Sequence, residues 1–530
     1  MKKSALNALF LLSLSAFSTQ VIAAPDLVEV FNDAYENDPV FQSAIANYLA
    51  AAEVFPQKRA ALLPNINLTA NTFANHQDNQ SPSLPRILRG NVSYNSHEYT
   101  LNLTQPLLNV GNWTQLVSAY STVKQSLALT VAAYQDLIIR VAKAYFAVLQ
   151  KEDNLGYTQA QKRAVAQQLD QAKERYKVGV ETITAVYEAQ AKYDSIVAQE
   201  IGDKNNVANS LEDLRHLTRK YYKEIAKIKR ELPLLPPQPE NMDAWVDAAA
   251  RQNFTLQGAR FAADAARTAI KTAFAGHFPT INAVATHDYT RSGGDSPAIG
   301  LNTTTDSLGL QLNLPIFQGG LVLSQTRQAQ DTYAQLRADM ENAYLDATVK
   351  TRQNYNNVMT GISQVKADRN AVLSAQSTVD ATLMALKVGT RNMLDLLQSQ
   401  TALYKAQQTM SIDQYTYIIA TLTLKQQVGT LNARDITAIN SWLRGQSRKM
   451  AMVTPYSYQP VPANTVLPLH IPAASAQTMS LIDEDSAPLP KLPPPLSETV
   501  LPSPPAVHSI ENNRQLVPNS AVPKSPAIVP

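Results

Sequence analysis

Leu308, Leu310, Leu312, Leu314 and Ile316 alternate with Gly309, Gln311, Asn313 and Pro315. A period of two puts apolar side chains on one face of a strand and small or polar ones on the other. The same alternation sets Tyr99, Leu101 and Leu103 against Thr100, Asn102 and Thr104, and Ile66, Leu68 and Ala70 against Asn65, Asn67 and Thr69. A weaker fourth stretch runs from Thr280 to Tyr289. The pattern predicts four strands of about ten residues in two pairs, the length of a tilted membrane-barrel strand. Polar stretches, Asn75 to Ser96 and Arg291 to Thr304, separate the members of each pair. The polar faces carry Asn, Thr and Gln but few charges, which suits a barrel wall with lipid outside and water inside better than a soluble sheet. Leu308 to Ile316 then form a lipid-facing row. Four strands cannot close a barrel, and an open edge in lipid leaves backbone groups without partners. Several chains must therefore share one barrel.

A longer period governs the rest. Asp38-Pro39 supplies an N-cap and a first-turn proline, and the helical pattern then runs to Leu63; its counterpart runs from Met242 to Ala275. The tract from Asn112 to Tyr176 has almost no breaker. Within it Leu127, Val131, Tyr134, Ile138, Val141, Tyr145 and Val148 repeat with a mean spacing of 3.5, the signature of a coiled coil. It is interrupted at Val178-Gly179-Val180 and resumes from Thr182 to about Leu232. A second tract runs from Leu321 to Leu386, turns at Val388-Gly389 and returns to about Leu431 with less regular heptads. A helix of ~65 residues extends ~100 Å, far more than a bilayer. Gly179 and Gly389 fit the turns because a left-handed conformation costs glycine little.

The two halves repeat one plan. Pro64 recurs at Pro279, an offset of 215; Pro106 recurs at Pro315, an offset of 209; Gly179 recurs at Gly389, an offset of 210. The shorter second loop accounts for the change. The predicted fold class is mainly α with a membrane β part, internally duplicated, with four strands and two long coiled-coil-like hairpins per chain. Pro106, Pro315, Gly319 and Gly320 mark the junctions where strand gives way to long helix. The expected organisation is a first repeat over 24–232, a Pro-rich linker over 233–241 and a second repeat over 242–445. A tail over 446–530 holds more than half of the chain's 31 prolines and is expected to be disordered.

Composition narrows the function. Lys2, Lys3 and the apolar run to Ala16 read as a signal peptide over 1–23, cleaved after Ala23. There is no cysteine, so neither disulfides nor an acylated cysteine is available. The net charge of +3 falls close to neutral without Lys2 and Lys3, which gives no general attraction to nucleic acid. The basic run from Arg215 to Arg230 reads as a solvated helix face. The seven histidines show no i, i+4 metal spacing. His277 with His287 and Asp288 makes a poor site, Gln318-Gly319-Gly320 lacks the lysine of a phosphate loop, and no serine nucleophile motif occurs. No enzyme chemistry and no cofactor are expected.

Tyr157-Thr158-Gln159-Ala160-Gln161-Lys162, Gln168-Leu169-Asp170, Leu314 to Gly320, Val388-Gly389-Thr390-Arg391 and Leu424-Lys425 to Leu431-Asn432 together resemble the TolC family of outer-membrane efflux proteins. The likeness covers Asp26 to Leu443. It implies a homotrimer, with a 12-stranded β-barrel in outer-membrane lipid continuous with a 12-helix α-barrel in the periplasm. It also implies a passive exit duct for drug efflux and type I secretion, partnered by a periplasmic adaptor and an inner-membrane ABC or RND pump. The turns at Gly179 and Gly389 would lie at the periplasmic tip. The family rings its closed entrance with two aspartates; Asp395 matches the first, while Gln398 stands at the second. The family latches the tip with an arginine and a tyrosine of the second hairpin against an aspartate and a threonine of the first. Arg391 and Thr184 match, but Leu386 and Ala185 replace the tyrosine and the aspartate. Arg391 with Glu181 or Glu188 is the expected substitute latch. The competing class is an elongated coiled-coil adhesin or structural rod, which explains the heptads but not the paired strands.

Overall fold

The computed structural model describes residues 24–79, 90–229, 232–294 and 302–443. The expected signal peptide over 1–23 and tail over 446–530 lie outside the described residues, as do the centres of both strand-connecting loops. No described helix is long and apolar enough to cross a membrane.

Each half opens with short helices, and each predicted single helix is broken. In the first half these are α1 (Leu27–Asn37), α2 (Pro39–Ala52) and α3 (Val54–Ala60). Strands β1 (Asn65–Asn79) and β2 (Gly90–Leu108) follow, then helices α4 (Val110–Lys177) and α5 (Ile183–Thr218). The second half runs α6 (Met242–Gln252), α7 (Phe254–Phe274), a 3-10 turn over Ala275–His277, β3 (Thr280–Gly294), β4 (Asn302–Asn313), α8 (Leu321–Lys387), α9 (Met393–Val428) and α10 (Ala433–Asn440).

The first predicted helix breaks at Glu53, and a separate kink, before α2 and before α7, recurs in both halves. Asp38 ends α1 and caps α2, accepting the Phe41 amide at 2.9 Å. Asn253, 215 residues later, ends α6 and caps α7, accepting the Leu256 amide at 2.9 Å. At each kink a short polar side chain satisfies an amide that the helix start leaves without a partner. Each also ties its kink to a long helix. Asn253 donates to the Gln427 carbonyl at the end of α9. Asp38, wholly buried, accepts two hydrogen bonds from Arg140 of α4 at 3.1 and 2.7 Å. Burial pushes the Asp38 carboxyl up, but the hydrogen bonds from Arg140 and the Phe41 amide outweigh it and hold it below the usual carboxylate range.

The four strands form one antiparallel sheet in sequence order, with β1 and β4 at its edges. They are longer than predicted, at 15, 19, 15 and 12 residues, because pairing runs on into the polar connecting stretches. β4 nevertheless stops at Asn313, so Leu314 and Ile316 lie beyond the strand assigned to them. Pro315 has no amide proton to continue the ladder. Pro106 sits inside β2, where the register to β3 shifts.

The α5 helix also ends early, at Thr218 rather than near Leu232. Arg219 takes a left-handed conformation (φ +55°), and the chain then runs extended. Its amides go to other partners: Ala226 to the Pro25 carbonyl at 3.0 Å and Lys229 to the Trp442 carbonyl at 2.9 Å, beside a bridge from Ile228 to Leu443. The basic run is therefore not one helix face. Lys220 pairs with Asp33 and Lys227 with Glu152. This returning segment packs on the larger apolar core, which includes the heptad residues Ile138, Val141, Tyr145 and Val148, helices α1 and α10, and Tyr415, Tyr417 and Ile418 of α9.

Replacing Arg140 with Ala leaves a carboxylate buried without its cation. The expected loss is about 3 kcal/mol at neutral pH. Because Asp38 has a lowered folded pKa, its contribution is present above the usual carboxylate range and is lost as pH falls through the folded value. Chemical denaturation followed by circular dichroism should therefore show the Arg140→Ala deficit in full at pH 7 and a shrinking deficit as pH falls below the usual carboxylate range.

Candidate functional site

One face of the sheet is apolar at the predicted positions. Leu308, Leu310 and Leu312 stand opposite Ala285, Ala283 and Ile281 on β3, and all three leucines are largely exposed. Leu314 and Ile316 remain exposed in the stretch after β4, Ile316 at 92%. The other face is polar and linked internally. The Thr100 hydroxyl donates to Asp288 at 2.7 Å, Thr290 donates to Asp288 at 3.0 Å, and Asn75 donates to Ser96 at 2.9 Å. Such a wall can face lipid on one side and water on the other.

The strand-to-helix junction of the second half turns on two adjacent glycines. Gly319 and Gly320 have φ of +59° and +84°, and Gly320 is the N-cap of α8. Two successive left-handed residues let the chain leave the sheet and start a 67-residue helix within a few positions. The first-half junction instead uses Asn109, whose side chain accepts the Asn112 amide at the start of α4.

At their far ends the two hairpins turn alike. Gly179 (φ +74°) and Gly389 (φ +80°) follow Val178 and Val388, and both valines are exposed. Thr182 caps α5 and Asn392 caps α9. The tips pack side by side through an apolar cluster that includes Val165, Leu169, Ala172, Val186, Leu396 and Leu397. Leu386 and Ala185 belong to this cluster and are buried. The two positions at which the family pattern calls for polar latch partners are thus apolar here and lie within one apolar cluster.

The other tip residues are not gathered into one cluster within the chain. Asp395 completes a capping box with Asn392: the Asp395 amide donates to Asn392 Oδ1 at 2.8 Å, and the Asn392 amide donates to Asp395 Oδ2 at 3.3 Å. Arg391 lies 3.7 Å from Asp395. Glu181 lies 3.8 Å from Arg175. Glu188 and Gln398 are exposed. The Thr184 hydroxyl is 2.7 Å from that of Thr182.

Sequence reasoning missed the polar contacts along the hairpins. Between α4 and α9, Asp153 accepts the Ser411 and Tyr415 hydroxyls at 2.8 and 2.7 Å, and Gln161 donates to Thr401 at 3.3 Å. Between α4 and α5, Thr158 donates to Asp203 at 2.6 Å, and Lys162 with Lys204 clamps Glu200, holding its carboxyl at about 2. Apart from Lys204 with Glu200, one helical turn away, the partners are 38 or more residues apart in sequence, so no local motif announces them. Among the described residues no group of three or more His, Asp or Glu side chains could hold a metal.

The model of the family described as outer membrane efflux protein matches residues 30–218 and 245–430. The outer membrane protein TolC of Vibrio cholerae is 35% identical over 431 residues, which cover 80% of this chain and 95% of that protein. The alkaline protease secretion protein AprF of Pseudomonas aeruginosa is 28% identical, over 78% of this chain and 86% of its own. Among solved structures, the outer membrane protein VceC of Vibrio cholerae superposes with a TM-score of 0.66 at 20% identity, over 76% of this chain and 96% of that one.

One buried acid lies where the two helices of the second hairpin meet. Asp368 of α8 is pushed up to about 6, first by burial and then by its hydrogen bond to, and charge repulsion with, Asp413 of α9. A raised folded pKa means that the helix contact is most stable when Asp368 is protonated, and that stability is lost as pH rises through about 6. Asp368→Asn should therefore raise the denaturation midpoint at pH 8 and leave it unchanged at pH 4. An equal effect at both pH values would refute the assignment.

Proposed function

The chain belongs to the outer membrane efflux protein family, and we propose that it is the outer-membrane exit duct of a tripartite efflux and type I secretion system. It works as a homotrimer with a periplasmic adaptor and an inner-membrane pump. One observation carries the reading: a four-stranded sheet with one leucine-rich exposed face and two edge strands is joined directly to helices of 68 and 67 residues. A sheet of this kind is stable in lipid only when other copies satisfy its edges. Three copies bring twelve strands into one wall and twelve long helices beneath it. The relatives named for protease secretion and for TolC support the same role.

The duct itself moves cargo passively, and the pump supplies the energy. The hairpin tips with Gly179 and Gly389 form its periplasmic end. Asp395 and Gln398 of three copies line the closed entrance there, and the carboxylates favour cations in the narrow passage. In this chain the first latch is the apolar contact that contains Leu386 and Ala185. Arg391 holds Asp395 within its own hairpin until a neighbouring protomer's Glu181 or Glu188 competes for it.

Planar-bilayer recording on purified trimers tests both statements. Asp395→Asn keeps a side-chain oxygen for the Asn392 amide but removes the charge, so cation preference should fall by roughly threefold or more with the tip still folded. Leu386→Ala removes packing worth about 2–5 kcal/mol at a buried site, and the resting conductance should rise several-fold. Unchanged selectivity in the first variant removes Asp395 from the entrance. Unchanged current in the second removes the apolar latch.

A further inference from the structure

Beyond the conduit, the outward face of the sheet carries a second feature near the loop end of the strands. The pairing aligns Thr72 of β1, His97 of β2, Arg291 of β3 and Asn302 of β4 in one row. The row beneath holds Tyr99 and Tyr289, whose rings stack at 4.8 Å and 15°. The row below that sets Leu101 beside the paired His287 and Asp306, and the rows of Leu308, Leu310 and Leu312 follow. Leu312 and the Tyr289 partner Thr304 are eight residues apart on β4, or ~27 Å of strand and ~20 Å of height after tilting. That is close to the ~25 Å apolar band of an outer-membrane barrel, so the tyrosine stack sits where the band ends and headgroups begin.

We propose that Arg291 and His97, set above the Tyr99–Tyr289 stack, form a clamp for the phosphate of a phosphorylated outer-leaflet lipid. The inference rests on the outer-membrane duct reading above. Three observations support it. Arg291 is exposed, and among the described residues no acidic side chain lies within ion-pair distance of it. The acid of β4 on this face, Asp306, is two rows deeper and is engaged by His287 at 2.5 Å. The Thr72 hydroxyl lies 2.9 Å from His97 Nδ1; when it donates there, the ring proton sits on Nε2 as an outward donor. A guanidinium fork and an imidazole N–H side by side match the oxygens of a phosphate monoester, and the two phenols beneath supply ring faces and hydroxyls at headgroup depth. A free anion would gain nothing from the ring faces or from the leucine rows, whereas a lipid uses both together.

Native mass spectrometry of the detergent-purified trimer tests the clamp. The trimer is titrated with a bisphosphorylated outer-membrane glycolipid and with the same lipid after enzymatic dephosphorylation. The expected result is a preference of about tenfold or more for the phosphorylated lipid. That preference should vanish in the Arg291→Gln, His97→Gln double variant, and inorganic phosphate at matched concentration should not compete. Equal binding of the two lipids, an unchanged preference in the double variant, or displacement by inorganic phosphate would overturn the clamp. Planar-bilayer insertion of the same samples separates the two levels. Trimers that insert and conduct but fail the lipid comparison remove the clamp alone. Wild-type protein that does not insert removes the duct reading and the clamp with it.

Discussion

Every backbone N–H and C=O at the edge of a sheet needs a partner, and in hydrocarbon water cannot serve as one. That constraint bears hardest on β1 and β4, the two edges of a sheet whose outward face carries rows of leucine, isoleucine and alanine. The chain cannot satisfy it alone, because both edges belong to the same four-stranded sheet. In the proposed assembly the remaining architecture follows from closure by further copies. A closed wall fixes the spacing of the strand ends, the strand ends fix where the long helices begin, and the glycine pair at 319 and 320 absorbs the change of direction between them.

Below the sheet, stability comes from two different kinds of contact. The larger apolar core gathers chain segments more than 400 residues apart, including the buried hydrogen bonds from Leu27 and to Asp26 made by Asn440. Along the hairpins, by contrast, polar side chains face one another inside the helix packing. Gln168 and Gln400 are buried with a side-chain oxygen that has no hydrogen-bond partner within the chain. Unsatisfied buried amides weaken a contact without abolishing it. Farther along α4 and α9, Ile138, Tyr145 and Ile418 belong instead to the larger apolar core.

Much of the fold was legible because it rests on periodicity. Leu308, Leu310 and Leu312 gave their strand, and the 3.5-residue spacing from Leu127 to Val148 gave α4. The two turns were read at Gly179 and Gly389, which have positive φ. What failed was decided by groups remote in sequence. Nothing near Leu232 says that the chain should leave the helix at Thr218; the reason lies in the amides that Pro25 and Trp442 accept. The kinks at Asp38 and Asn253 were half legible, since Asp38-Pro39 was read as a start but not as a stop. At the tips, sequence reading found Leu386 and Ala185 as departures from a polar pattern. That the two share one apolar cluster appears only in three dimensions.

If the proposed closure runs through the apolar cluster that holds Leu386 and Ala185, it sets how the tip answers its surroundings. A contact made of charges weakens as ions screen it, over a distance of about 8 Å at physiological salt. A contact made of apolar side chains does the opposite: it tightens in strongly hydrated salts and slackens in the cold. A tip closed by such a contact would stay sealed as salt rises and would loosen first at low temperature. A conductance series across salt and temperature separates the two kinds of closure by the sign of each dependence.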